Sequence, residues 1–319
     1  MARFPFGIPN SWYLVAYADE FEAGTVKPLP YLGRNMIAIR DGGGAVSVLD
    51  GYCPHLGANL AVGGTCEDGV IRCPFHGWKY DATGRCIEIP YAKRIPQDAR
   101  LGRYPVLERN GMIFVWHGEA GAEPFFEIPE LPEWEDPEYT DSWMRFEWEV
   151  KTHPQEISEN GIDSPHLETV HLMDPVEDYR LRFEGPAYFW SIGVSKEFST
   201  LPDFQDGFTM TGENWGLGYS LIRQRGRFDT VVVTSFTAID RETTCIKLAV
   251  LAKRGGRGEA QLEAELEGYM KEHAAVAEQD FSIWEHKRYE PKPVLCDSDG
   301  PIGEHRKWAE QFYVDEASR

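Results

Sequence analysis

Short runs of alternating apolar and polar residues fill the first third of the chain, and they predict strands. SWYLVAY (11–17), MIAIR (36–40) and VSVLD (46–50) are bounded by turn-forming residues. The last two flank Asp41-Gly42-Gly43-Gly44, a hairpin signal. RYPVLERNGMIFVWHG (103–118) reads as two short strands about an Asn110-Gly111 turn. This region is all-β and closes near residue 117. Strand patterns return at WMRFEWEV (143–150), PAYFWSIGV (186–194), VVVTSFTAI (231–239) and CIKLAVLA (245–252). The pattern turns helical at 259–287, where Leu262, Leu266, Tyr269, Met270, His273 and Val276 recur at helical spacing. The expected fold is α+β: an all-β domain over 1–118, a connector over 119–142, and an antiparallel sheet gripping a long C-terminal helix over 143–319. Between Arg109 and Arg145 no Lys or Arg occurs, so the connector reads as a solvated acidic, Pro-rich segment.

With 319 residues, 42% apolar and 13% aromatic, the chain can bury one large core or two ordinary ones. A net charge of −20 argues against nucleic acid or an anionic membrane as partner. A basic patch on a redox protein fits better, although a merely solvated acidic surface is equally compatible. No apolar run approaches the roughly 20 residues that span a bilayer. MARFPFGIPNSW lacks a long apolar leader core, so a soluble cytoplasmic protein is expected. Cys66, Cys86, Cys245 and Cys296 are scattered and are expected to be reduced thiols.

Two further cysteines belong to a pattern. Cys53-Pro54-His55 and Cys73-Pro74-Phe75-His76 are separated by seventeen residues and each runs into a glycine, Gly57 or Gly77. These glycines are expected to let backbone N–H groups approach an anionic cofactor. Zinc accepts two thiolates and two imidazoles, but its usual finger spacing puts both cysteines first and both histidines last. One Cys and one His per loop suits a two-iron cluster better.

A second set lies in SENGIDSPHLETVH (158–171). His166 and His171 are five apart, about 140° around a straight helix. They converge only if the helix is bulged or starts between them; Ser164 as cap and Pro165 at the first helical position favour a start. Asp163 stands three residues before His166, where a carboxylate could fix the imidazole tautomer. Two histidines plus one carboxylate make a non-haem Fe(II) site with open positions. Candidate carboxylates are Glu272, Glu278, Asp280, Asp297 and Asp299.

C-P-H-L-G and C-P-F-H-G-W resemble the Rieske domain of non-haem iron oxygenases, and Asn160, Asp163, His166 and His171 resemble their mononuclear iron motif. Respiratory Rieske proteins carry a further cysteine in each loop; Ala58 and Phe75 stand there, which favours the oxygenase type. The resemblance implies a [2Fe–2S] cluster held by Cys53, His55, Cys73 and His76, covered by Trp78 and Tyr80. It also implies mononuclear non-haem Fe(II) on His166, His171 and a carboxylate just before an apolar pair such as Ile283-Trp284. That selects Asp280, with Glu278 as main rival. Asn160 is expected beside the ligands, and Asp163 as the bridge between His76 of one chain and His166 of the next in a homotrimer.

The tail is similar to the oxygenase component of 3-ketosteroid 9α-hydroxylase at Gln279-Asp280, Ile283-Trp284, Lys287, Leu295-Cys296, Asp299-Gly300-Pro301-Ile302, Arg306, Trp308 and Gln311-Phe312-Tyr313. This implies O2-dependent hydroxylation of a hydrophobic polycyclic, 3-ketosteroid-like substrate, with electrons from a separate NAD(P)H-dependent reductase. The alternative is O- or N-demethylation or hydroxylation of a smaller aromatic. A ferredoxin-like electron carrier would not need the second set of ligands. Phe189, Trp190 and Trp215 are candidates for a substrate pocket or for ordinary core.

Overall fold

The computed structural model describes residues 3–173, 177–194, 208–226 and 228–314. Contacts divide the chain into two compact units, Trp12–His117 and Met1–Ser11 with Gly118–Arg319. The first eleven residues, read with the all-β domain, and the acidic stretch 119–142, read as a connector, thus group with the second unit. Asn10 N donates to Phe312 O at 2.7 Å. Arg3 donates to Lys151 O at 2.6 Å, and Arg223 Nε lies 2.6 Å from Glu133 Oε1.

The smaller unit is built from β1 (Ser11–Tyr17), β2 (Val26–Leu29), β3 (Met36–Arg40), β4 (Val46–Asp50), β5 (Thr65–Glu67), β6 (Val70–Arg72), β7 (Lys79–Tyr80), β8 (Cys86–Glu88), β9 (Arg103–Tyr104), β10 (Val106–Arg109) and β11 (Met112–His117). They form three sheets, ordered β1-β11-β10, β2-β3-β4-β9 and β5-β6-β7-β8. Ile37, Leu49, Leu60, Ile71 and Tyr80 pack one core together with Cys53 and Cys73. Both cluster loops follow strands anchored by buried residues, Ser47, Val48 and Leu49 in β4 and Ile71 in β6.

The larger unit holds β12 (Met144–Val150), α1 (Pro154–Asn160), α2 (Pro165–Thr169), β13 (Glu177–Glu184), β14 (Ala187–Val194), β15 (Phe208–Trp215), β16 (Tyr219–Arg225), β17 (Thr230–Ala238), β18 (Thr244–Ala252), α3 (Glu259–Glu278), α4 (Phe281–His286) and α5 (Ile302–Ala309). Its seven strands form one antiparallel sheet ordered β12-β18-β17-β16-β15-β14-β13. Leu262, Leu266, Tyr269 and Met270 of α3 are buried against Val232, Leu248 and Val250 of that sheet. Val276 departs from this face and is exposed. The single helix expected over 259–287 is broken. Gln279 and Asp280 direct their N–H groups to carbonyls three residues back, and α4 restarts at Phe281. No helix of the described residues is long and apolar enough to cross a membrane.

Candidate metal centres

The two Cys/His loops have one hydrogen-bonding plan. Cys53 N donates to Ala58 O and Gly57 N to Cys53 O, both at 2.9 Å; Cys73 N donates to Trp78 O at 2.8 Å and Gly77 N to Cys73 O at 3.1 Å. Closing each turn requires a positive φ at the glycine, +74° at Gly57 and +72° at Gly77. The N–H groups of the two glycines themselves are spent on these turns. Cys53 and Cys73 are buried, and Tyr80 Oη lies 3.1 Å from Cys53 Sγ. Burial pushes the Cys53 thiol up, and the Tyr80 hydroxyl partly offsets it.

The histidines of the two loops meet edge to face, with ring centroids 4.7 Å apart. Trp78 stacks on His55 at 4.4 Å, and its Nε1–H donates to Tyr91 Oη at 2.8 Å. Nδ1 of His76 is buried with no hydrogen-bond partner. An orphaned imidazole nitrogen is costly unless something else takes its lone pair. Two buried thiols and two clustered imidazoles with that orphaned nitrogen fit a half-cysteine, half-histidine cluster. A single tetrahedral zinc would need all four donors around one point. Among the described residues, the one group of three or more such side chains that close is a different one: His166, His171 and Asp280.

That second group is assembled by helix ends. Pro165 occupies the first helical position of α2, although Ser164 makes no side-chain cap. The helix stops at Thr169, so His166 lies inside it and His171 just beyond it. Leu172, at φ +52°, turns the chain back, and Met173 N returns to Leu167 O at 3.0 Å. The pair converges because the helix ends between them, not because it begins there. Their ring centroids are 5.2 Å apart. The break between α3 and α4 presents Asp280, whose Oδ2 lies 3.3 Å from His171 Nε2. Ligand atoms of the three residues lie within 4.8 Å of one another.

Neighbouring side chains orient these donors. Asn160 Nδ2 is 3.1 Å from His166 Nε2 and donates to Asp280 Oδ2 at 3.2 Å. His171 Nδ1–H donates to Gln279 Oε1 at 2.8 Å, which leaves Nε2 turned toward Asp280. The Asp280 carboxylate holds the His171 imidazole above its ordinary value, against the effect of burial. Nδ1 of His166 donates to the backbone carbonyl of Asp163. The expected carboxylate partner is thereby corrected: the main chain of Asp163, not its side chain, fixes this tautomer. Burial pushes that carboxyl up, while His166 pulls it down. Glu278, the rival third ligand, instead accepts from Trp148 Nε1 at 2.9 Å.

The C-terminal segment holds the frame. Arg306 forms a two-pronged ion pair with Glu159, Nε–Oε2 2.7 Å and Nη2–Oε1 3.0 Å. His305 Nε2 lies 2.9 Å from Ser158 Oγ, and Lys287 Nζ 2.7 Å from Glu156 Oε2. Three residues of the tail thus grip α1, whose last residue is Asn160. Gly300 packs against the main chain ahead of His166: a Cβ there would lie 2.3 Å from Ile162 O. The sequence motif Asp299-Gly300-Pro301 therefore has a packing reason.

Of the three aromatics considered for a pocket, only Trp190 shares the sheet face that carries Tyr188, whose hydroxyl donates to Ser158 O in α1. Phe189 and Trp215 lie on the reverse face, with Arg182 over the Phe189 ring. A groove of about 350 Å³ on that reverse face is lined by Arg180, Arg182, Phe189, Glu213 and Arg223, away from the metal ligands.

Comparison with known proteins gives two domain matches. Residues 11–104 match the Rieske [2Fe-2S] domain and residues 115–313 the 3-ketosteroid 9alpha-hydroxylase C-terminal domain. A cholesterol 7-desaturase of Caenorhabditis elegans is 32% identical over 98% of this chain and 78% of its own length. A probable 3-ketosteroid-9-alpha-monooxygenase oxygenase component of Rhodococcus rhodochrous is also 32% identical, over 96% of this chain and 80% of its own. Among solved structures, dicamba monooxygenase bound to dicamba superposes with a TM-score of 0.78 at 18% identity, covering 98% of this chain and 99% of that one. Pseudomonas putida CBB5 NdmA with caffeine gives 0.78 at 17%, covering 94% and 89%. At such identities these two show a common fold.

Proposed function

The chain belongs to the Rieske non-haem iron oxygenases, in the branch of 3-ketosteroid 9α-hydroxylase, and on that premise we propose that it is the oxygenase component of a multicomponent steroid hydroxylase. The family's cofactors are a Rieske [2Fe–2S] cluster and a mononuclear non-haem iron. Cys53, His55, Cys73 and His76 would hold the first; His166, His171 and Asp280 the second. When bound, the cluster supplies electrons and the iron the centre at which O2 is activated for attack on a C–H bond. A separate NAD(P)H-dependent reductase provides the electrons, and the reaction balances as R–H + O2 + 2e⁻ + 2H⁺ → R–OH + H2O.

The observation that carries this reading is the convergence of His166, His171 and Asp280 in a chain that also has the Rieske loops. The protein's own part is geometric. Gln279 and the Asp163 carbonyl fix the two imidazole tautomers, and Asn160 ties Asp280 to His166. The steroid class rests on the two curated relatives, one named for a 3-ketosteroid and one for cholesterol. A homotrimer in which Asp163 links His76 of one copy to His166 of the next is what the resemblance implies. The Asp163 carboxylate supports it by standing apart from the His166 bond in its own chain.

The test is turnover of 3-ketosteroid and methoxy- or methylamino-aromatic panels by iron-replete protein with a surrogate reductase, NADH and isotope-labelled O2. A steroid product that gains one labelled oxygen is expected. The kinship with a cholesterol 7-desaturase favours one second reading, loss of two hydrogens from a sterol with no oxygen gained. Products only from the aromatic panel would overturn the steroid class, and no O2-dependent product from any panel would overturn the enzyme.

A further inference from the structure

Helix α3 covers the sheet face over β12, β17 and β18, and α1 with α5 covers it near Tyr188 and Phe183. Between them lies a patch on β13, β14 and β15: Tyr179, Trp190, Ile192 and Met210, packed on one another. Trp190 and Met210 keep part of their surface exposed. The Trp190 ring lies flat on the sheet because residue 212 is glycine; a Cβ there would sit 2.1 Å from the indole. Its N–H is tied to Asn214 Oδ1 at 3.2 Å, so the ring is fixed as a planar apolar floor.

The polar atoms at this surface include one that is unpaired. The Tyr179 hydroxyl is buried and has no hydrogen-bond partner. A buried hydroxyl left unpaired is costly, so a fold seldom keeps one without a use for it. Burial pushes the phenol up, with the Asp163 carboxylate adding to the effect, and the Tyr179 charge is felt in turn by Tyr188. β13, which carries Tyr179, pairs with β14, whose Tyr188 hydroxyl donates to Ser158 O in the helix that ends at Asn160.

We infer that Tyr179 is the hydrogen-bond donor for the single polar substituent, a ketone or hydroxyl oxygen, of a flat polycyclic substrate lying on Trp190. The inference rests on the steroid reading above and adds the group that orients the molecule. Trp190, Ile192 and Met210 contribute apolar area, which is blind to the ends of a steroid; the phenol tells an oxygenated end from a hydrocarbon one. A site built to donate one hydrogen bond rejects an analogue lacking the acceptor, because its own donor is again left unpaired.

The experiment measures anaerobic binding of androst-4-ene-3,17-dione and of its 3-deoxy and 17-deoxy analogues to the iron-loaded protein, by quenching of tryptophan fluorescence. The unmodified protein should bind the dione about tenfold more tightly than one of the two mono-deoxy analogues. In Tyr179→Phe that preference should disappear, with affinity for the disfavoured analogue unchanged and KM for the dione raised more than kcat is lowered. A preference that survives in Tyr179→Phe, or an equal loss for all three ligands, would overturn the role of Tyr179 and leave the steroid reading intact. Failure of the unmodified protein to bind any of the three would overturn both.

Discussion

Gln279 and His171 are joined by a 2.8 Å hydrogen bond from Nδ1 of the imidazole to Oε1 of the amide, in the residue directly before Asp280. One break in the C-terminal helical stretch therefore delivers both a carboxylate and the group that orients its histidine partner. Partners of ligating histidines commonly contribute a factor of about 10–100 in metal affinity. Gln279→Leu should weaken binding of Co(II) or Fe(II) to the apo mononuclear centre by that order, while the visible spectrum of the Rieske cluster stays unchanged. Gln279→Glu keeps an acceptor and should retain most of the affinity. Metal titration of the two variants side by side checks this; equal affinities in Gln279→Leu and the unmodified protein would remove Gln279 from the site.

Gly300 makes a second prediction, from packing alone. A methyl at 300 would lie 2.3 Å from Ile162 O and 3.5 Å from the Cα of Asp163, and backbone on a helix-capped loop has little room to yield. Gly300→Ala should displace the segment leading into His166 and lower the mononuclear iron content, with the cluster signal preserved. Iron analysis against the intensity of the reduced cluster's paramagnetic signal separates the two pools. Full occupancy of both would show that the loop absorbs the methyl.

Much of this architecture was legible in the residues, and the exceptions share a cause. Ser11–Tyr17, Met36–Arg40 and Val46–Asp50 were read to the residue because alternation and turn glycines are local signals. The α3–α4 break was not, because Phe281 and Trp284 continue an apolar pattern through it, with Trp284 buried in a separate cluster with Val150 and Ile157. Nothing local marks a break whose compensation is a bond from Gln279 to a histidine 108 residues earlier. Asp163 shows the same limit: spacing put an acid near His166, but only the fold shows that its main-chain oxygen faces the ring. Tyr179 carries no sequence signal at all, since an unpaired hydroxyl is defined by what surrounds it.

Acid sensitivity should reside in two buried histidines away from the metals. Burial pushes His153 and His305 down to about 4 from an ordinary 6.5. Burial keeps His153 neutral, against the Gly7 bond, which favours the charged form; Nε2–H donates to Gly7 O, and Nδ1 accepts from Gln155 N. His305 faces Ser158 Oγ, with Glu159 favouring its charge and Arg306 opposing it. Because the folded values lie below the unfolded one, the unfolded chain takes up protons first. Their contribution to stability is complete above about 6.5 and is lost as pH falls toward 4, by up to about 1.4 kcal/mol per pH unit for each ring. Glu156, raised by burial, works in the opposite direction. Urea midpoints of His305→Gln and the unmodified protein between pH 7 and 4.5 should therefore converge on acidification. Parallel curves would place the acid sensitivity elsewhere.

Asp163 supplies the most discriminating prediction. In its own chain His166 is oriented by the Asp163 carbonyl, so removing the side chain leaves that bond in place. Asp163→Ala should then keep both metal pools near full occupancy. If the carboxylate links His76 of one copy to His166 of the next, the same variant should lose nearly all product formation. Single-turnover experiments with a chemically reduced cluster localise the defect: cluster oxidation should slow by orders of magnitude, while steroid binding is unaffected. Asp163→Asn, which retains hydrogen bonding without the charge, tests whether charge or contact matters. Two outcomes would end the bridging role: loss of mononuclear iron from Asp163→Ala, which would make the side chain part of the site's scaffold, or unimpaired cluster oxidation, which would leave the carboxylate idle.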